Sequence, residues 1–253
     1  MIEQGLMDEL PDACFALHVM PAAPGVITLG TGPMTSYSDG FWITIHGKAA
    51  HSSTPEKGVN AINIAAAIIN NLNTILTSNL SPLGSSTMNI GVIKGGNAPN
   101  VIADFVELNG MMRNETAQSR ELMFKRIEEI AKGTAASLGG SAELRFRIGY
   151  ASVYNDPELT SFTEEFFKKH ETDLFDGISP DGKGPQNWLL TGNQFSLGAE
   201  DFGFYSQKAP TCFIWVGTGD TASNHNPKFM VEEPYIKLCT RSMSMFAVNF
   251  LNS

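Results

Sequence analysis

Between Ser36 and Tyr150 the apolar residues pass through two periods in a fixed order, and that order constrains the fold more than any single motif. Phe41, Ile43 and Ile45 alternate with Trp42, Thr44 and His46, the pattern of a half-buried strand. Ile64, Ile68, Leu72 and Ile75 then recur at helical spacing, with Gly58 before and Ser78-Asn79 after them. Met88, Ile90 and Val92 alternate as a second strand, and Val106, Leu108 and Met112 form a third. A helix is expected over about 119–138, with Leu122, Ile127, Ile130 and Leu138 inward and Lys125, Arg126, Glu128 and Glu129 outward. Leu144, Phe146 and Ile148 close the series as a fourth strand, with Arg145 and Arg147 pointing the other way. The order β-α-β-β-α-β predicts a ferredoxin-like unit, its helices on one face of an antiparallel sheet and its other face free to dock something.

The flanks read differently. Ile2 to Leu10 reads as the tail of a helix stopped by Pro11, as if the fold began before Met1. Two short strands follow, Cys14 to Val19 and Gly25 to Leu29, and Gly30-Thr31-Gly32-Pro33 reads as a hinge. After Tyr154 come a helix near Pro157 to His170, a polar stretch from Asp176 to Gln186, a strand at Gln194 to Leu197, a short helix at Asp201 to Gln207, a strand at Cys212 to Val216, and a terminal helix from Glu232 to about Leu251. These are pieces of an α/β sheet. The expected fold class is α/β, a partial sheet domain of residues 1–33 plus 150–253 interrupted by the ferredoxin-like unit at 34–149.

With 253 residues, 42% of them hydrophobic, the chain can bury one large core or two. Its net charge of −9 argues against nucleic acid as a partner, because phosphate contact needs basic patches. No apolar run approaches the length of a membrane span, and the acidic start MIEQGLMDELPDA lacks the basic region of a signal peptide, so no membrane partner and a cytoplasmic location are expected. Cys14, Cys212 and Cys239 are odd in number and widely spaced, which fits reduced, buried thiols better than a disulfide framework.

Six sites can carry chemistry, the adjacent Glu200 and Asp201 counting as one, and each is weighed against a plain structural reading. His18 ends a strand, where α/β sheets place ligands; it is either a packed core histidine or a metal ligand. His225, in Asn224-His225-Asn226-Pro227, is either a solvated loop residue or a ligand. Glu200 and Asp201 sit where a strand meets a helix, a place the helix dipole favours for carboxylates with no function implied. His51 either lies in a capping loop or donates to a developing oxyanion. Asn100 closes the turn Gly95-Gly96-Asn97-Ala98-Pro99-Asn100, which opens no helix and so is a poor phosphate cradle. Arg113 either pairs with Glu115 on the surface or clamps a carboxylate.

Taken together these segments are specific. LHVMP, then HGKAAHSSTP-x-x-GVNAI, then GGNAPNVIAD leading to MMR, then GAEDFGFY, then NHNP resembles the M20 metallopeptidases, nearest to the branch of hippurate, N-acyl-amino-acid and auxin-conjugate hydrolases. The resemblance is collinear over nearly the whole chain. It implies a catalytic α/β domain with two divalent metal ions (Zn, Mn, Co or Ni) and a ferredoxin-like lid that also makes a homodimer. It implies that His18 and His225 are metal ligands, that His51 reaches the partner subunit's site to polarise the scissile carbonyl, that Asn100 and Arg113 lie near the substrate, and that Glu200 belongs to the acidic motif. The expected substrates are N-acyl amino acids or small peptides.

One departure is large. The family's HxCGHD-like segment and its Glu-Glu pair, which supply the bridging ligand, further ligands and the general base, have no counterpart here, and Cys14 lies on the His18 strand rather than in a separate loop. The chain resembles the C-terminal two-thirds of such an enzyme. It is therefore expected to hold no complete metal centre and to hydrolyse little or nothing as given. The alternative is a non-catalytic remnant that serves as a dimerisation or peptide-binding module.

Overall fold

A computed structural model describes every residue except Asp220. Along the chain run β1 (Cys14–Met20), β2 (Ile27–Thr28), β3 (Gly32–Pro33), β4 (Tyr37–His46), β5 (Ala50–His51), α1 (Ala61–Thr74), β6 (Ser86–Gly95), β7 (Val101–Ile102), β8 (Phe105–Asn114), α2 (Ala117–Ser137) and β9 (Ser141–Tyr150). They are followed by β10 (Tyr154–Asn155), α3 (Pro157–Lys169), α4 (Glu171–Phe175), β11 (Leu189–Leu190), β12 (Thr211–Gly217) and α5 (Glu233–Leu251). The chain forms two compact units, one of residues 1–35, 152–196 and 200–253, the other of residues 36–151 with 197–199.

The second unit is a four-stranded antiparallel sheet in the order β6-β8-β4-β9. The ferredoxin-like order follows from the pattern of its apolar residues. Phe41, Ile43 and Ile45 of β4 and Val106, Leu108 and Met112 of β8 are buried on one face against Ile64, Ile68 and Leu72 of α1 and Met123 and Ile127 of α2. Asn60 caps α1 by accepting from the Ile62 N–H at 2.9 Å, and Thr116 and Ser119 form a reciprocal capping box on α2. Gly110 is required by packing: a Cβ there would stand 2.2 Å from Cζ of Phe41, its direct partner across β4 and β8.

In the first unit a mixed sheet runs β1-β12-β2-β11. β1 lies parallel to β12 with His18 opposite Trp215, and β12 runs antiparallel to β2. Ile27, Leu29, Ile214 and Val216 pack against Phe166 and Phe167 of α3 and Leu238 and Phe246 of α5.

Several expectations are corrected. Ile2 to Leu10 is not a helix tail; it is a 3₁₀ turn, Ile2–Gln4, closed by Gly5 at φ 91°. The strand expected at Gln194 to Leu197 does not form, because the Phe195 N–H is taken by the Asn193 side chain (3.1 Å) and the Ser196 N–H by the Met34 carbonyl (2.9 Å); Leu189–Leu190 joins the sheet instead. The strand at Gly25 to Leu29 shortens to Ile27–Thr28, and the helix at Asp201 to Gln207 to a 3₁₀ turn, Asp201–Phe204. The buried stripe of α2 is Met123, Ile127, Ala131 and Ala135; Leu138, past the last turn, is exposed. Ala131 and Ala135 belong to the same core cluster as Ile64, Ile68 and Leu72 of α1.

Candidate active-site residues

Three of the six positions gather at one end of the sheet in the first unit. His18 lies on β1 with its ring 5.5 Å, centroid to centroid, from that of Trp215. Its Nδ1 is 2.6 Å from the Val19 carbonyl oxygen. A carbonyl can only accept, so Nδ1 carries a proton, and in the neutral ring Nε2 then keeps a bare lone pair. The same carbonyl accepts from Asn224 Nδ2 at 3.2 Å. His18 and Asn224, from opposite ends of the chain, thus share one acceptor, and the loop bearing His225 is tied to the strand bearing His18. The tie runs between their neighbours, not between the imidazoles. His225 is exposed and adopts φ 67°, a left-handed conformation uncommon for a residue with a Cβ.

Glu200 caps the 3₁₀ turn Asp201–Phe204, its Oε1 accepting from the Asp201 N–H at 3.0 Å. Phe202 holds that turn against Phe213, ring centroids 5.9 Å apart. Partial burial and the neighbouring Asp201 push the Glu200 carboxyl above the usual carboxylate range, and charge on His18 opposes the shift. The sign for stability follows. A carboxyl with a raised folded pKa favours folding while it is protonated, and that contribution is lost as pH rises through the folded value.

His51 and Asn100 meet in the second unit. His51 pairs with Val101 across β5 and β7, and the Ser52 N–H donates to the Asn100 carbonyl at 3.0 Å. The Ser53 N–H donates to His51 Nδ1 at 3.2 Å, and Ser53 Oγ lies 2.7 Å from the same atom. Here Nδ1 is the acceptor, so the proton sits on Nε2. The two histidines therefore hold opposite tautomers: His18 offers a lone pair at Nε2, the form a metal ligand needs, and His51 offers an N–H, the form an oxyanion donor needs. The sequence reading missed the Val19 carbonyl and Ser53 as the groups that set these roles; the serine was legible, since it lies two residues from its partner.

Arg113 stands apart on β8, between Thr87 of β6 and Ser38 of β4, half-buried and with no ion pair among the described residues. The surface pair with Glu115, one of the two readings of this arginine, does not form; that carboxylate accepts instead from the Ser85 N–H at 3.0 Å. The cysteines are structural: burial pushes the Cys212 thiol up to about 12 and Cys239 to about 11, and it also raises Cys14.

A two-metal centre does not fit the residues of this chain alone. His18 presents the right atom, yet among the described residues no group of three or more His, Cys, Asp and Glu side chains is placed to hold a metal ion. Nor, among the described residues, is any helix long and apolar enough to cross a membrane.

The chain thus joins an α/β unit bearing His18, His225 and Glu200 to a ferredoxin-like unit bearing His51, Asn100 and Arg113. Residues 35–138 match the family described as the peptidase dimerisation domain of M20 proteins. The chain belongs to the M20 family. It is 33% identical over 237 residues to the uncharacterized hydrolase y4tI of Sinorhizobium fredii, covering 92% of this chain and 55% of that protein. It is 27% identical to an N-acetylcysteine deacetylase of Bacillus subtilis, covering 100% of this chain and 62% of that one. A solved Bacillus subtilis structure, described as a dinuclear metal binding peptidase from the M20 family, superimposes with a TM-score of 0.77 at 25% identity, over 99% of this chain and 60% of its own. The chain thus spans little more than half the length of these relatives.

Proposed function

We propose that this chain forms the lid and part of the catalytic domain of an amidohydrolase that cleaves the amide bond of N-acyl amino acids or small peptides. The observation that carries the reading is the shared Val19 carbonyl, which ties the His225 loop to His18 while Glu200 stands close enough to feel the charge on His18. In this reading His18 and His225 are two ligands of an incomplete set, and Glu200 is a carboxylate of the acidic motif. His51, with its proton on Nε2, donates to the oxyanion that develops on the scissile carbonyl in the partner subunit's site, and Asn100 and Arg113 hold the substrate, the arginine on its carboxylate. The dimer is formed through the lid. Two divalent ions belong to the complete enzyme.

The expected result of assaying the pure chain with N-acetyl and N-benzoyl amino acids plus Zn²⁺ or Mn²⁺ is little or no hydrolysis, because among the described residues no three His, Cys, Asp or Glu side chains are placed to hold a metal ion. Robust turnover that a chelator abolishes would contradict this. In a preparation completed with the missing groups, His51→Ala is expected to lower kcat by about 10²–10³-fold, the usual cost of one oxyanion donor; an unchanged kcat would remove His51 from the mechanism. The second reading, a dimerisation or peptide-binding module, is favoured by the lid domain itself and gains if no completed preparation turns over.

A further inference from the structure

The chain has six arginines in a protein of net charge −9. Three are ion-paired: Arg120 with Asp39, Arg126 with Glu129 and Arg241 with Asp176. The other three, Arg113, Arg145 and Arg147, have no carboxylate partner among the described residues, and all three project from the helix-free face of the β6-β8-β4-β9 sheet. Solvated surface arginines are common, but two of these are held in place. Arg145 lies over the Trp42 ring at 4.2 Å from its centroid, a cation–π contact. Arg147 crosses from β9 over Gly40 of β4, and its Nη2 reaches Met111 Sδ on β8 at 3.9 Å.

Gly40 makes that crossing easy: it has no side chain to stand in the path, and a Cβ there would touch both Trp42 and Arg147. The Arg147 guanidinium therefore ends beside Met111, whose same-face neighbour two residues along β8 is Arg113, about 6.8 Å away along the strand. Gly40 and Ser38, both buried, thus lie on the strand between the two arginines without a carboxylate partner, with Trp42 and the Arg145 stacked on it to one side. The carboxylates of this face lie toward its other end: Glu107 is beside Lys94, and Glu143 is 3.7 Å from His46.

We propose that this face binds small dicarboxylates, one carboxylate on Arg113 and the second on Arg147, so that the preferred ligands are acyl amino acids bearing an acidic side chain. The inference rests on the reading of Arg113 as a carboxylate clamp and adds Arg147 as the residue that selects the second charge. A planar guanidinium matches a carboxylate with two parallel hydrogen bonds, and a point charge does not.

The test is an NMR titration of the ¹⁵N-labelled chain with N-acetyl-L-glutamate and, separately, with N-acetyl-L-glutamine, which has the same shape and one carboxylate fewer. Binding is expected to shift the Trp42 indole and the backbone around Gly40, with the glutamate ligand about tenfold tighter. Arg147→Ala is expected to erase that preference and leave the glutamine ligand unaffected, the spectrum elsewhere reporting an intact fold. Arg113→Ala is expected to weaken both. A preference that survives Arg147→Ala overturns the assignment of Arg147 while the Arg113 clamp stands. Indifference of both ligands to Arg113→Ala removes the clamp itself. No shift near Trp42 with either ligand overturns the site, as does a single-stranded oligonucleotide that occupies this face more tightly than either.

Discussion

Arg120→Ala is expected to destabilise the ferredoxin-like unit by about 3–5 kcal/mol, the range for stripping the partner from a buried charge. The Asp39 side chain is 0% exposed. Its carboxylate accepts from Arg120 Nε at 2.8 Å, Arg120 Nη2 at 2.7 Å and the Gly149 N–H at 3.0 Å. The hydrogen bond to Asp39 pushes the Arg120 pKa up further, so the guanidinium is charged at every accessible pH. It also lies over the rings of Tyr37 and Phe124, at 4.9 and 5.4 Å. Alanine leaves the carboxylate in the core with a single N–H. Arg120 is itself 19% exposed, so water entering the vacated site brings the cost toward the lower end of the range. Removing both charges, as in Asp39→Leu with Arg120→Met, is expected to recover most of the loss, because no lone buried ion then remains. Urea unfolding of the single and double variants measures both; a single variant within about 1 kcal/mol of the parent would contradict the role given to the pair.

Asn155→Leu is expected to cost about as much in the other unit. Asn155 is fully buried and spends its whole amide on backbone. Nδ2 donates to the Gly30 carbonyl at 2.9 Å and the Phe213 carbonyl at 2.8 Å, and Oδ1 accepts from the Phe213 N–H at 2.7 Å. Leucine fills the volume and strands two acceptors and a donor, each costing about 1–3 kcal/mol when buried unpaired, and not additively. About 3–5 kcal/mol is therefore expected. The loss should also reach the candidate site, because the Phe213 ring lies 4.8 Å from that of Trp215, which lies 5.5 Å from His18. Thermal unfolding gives the first effect and a shift of the His18 ring resonances the second. An unshifted His18 in a destabilised variant would show that β12 does not carry the coupling.

The contrast between these two residues and the rest of the chain shows what a sequence can say. The sheet of the second unit was legible because Phe41, Ile43 and Ile45, or Leu144 and Phe146, can alternate only on a half-buried strand. On α2, Ile127 and Ile130 were legible as core residues, while Ala131 and Ala135 were not, because alanines carry little periodic signal. Leu189–Leu190 is too short to stand out, while Phe195 and Leu197 imitate a strand whose N–H groups are committed elsewhere. Long-range polar bonds were invisible: Asp39 and Arg120 are 81 residues apart, and Asn155 and Phe213 are 58 apart. The six candidate residues came from motif order rather than local pattern. What motif order could not supply was the tautomer of each histidine, which depends on single atoms of Val19 and Ser53.

The central claim is that His18 on β1 and the acidic turn at Glu200 share one site. It is tested most directly by the titration of the Glu200 side-chain carboxyl carbon, followed by NMR in the parent chain and in His18→Ala. Partial burial and Asp201 raise its pKa, and charge on His18 acts against that rise. Glu200 is therefore expected to titrate above the ordinary carboxylate range in the parent, and higher still once the imidazole is gone. A carboxyl that titrates as in a free peptide, and does so identically with and without His18, would place the two groups too far apart to act on one bond.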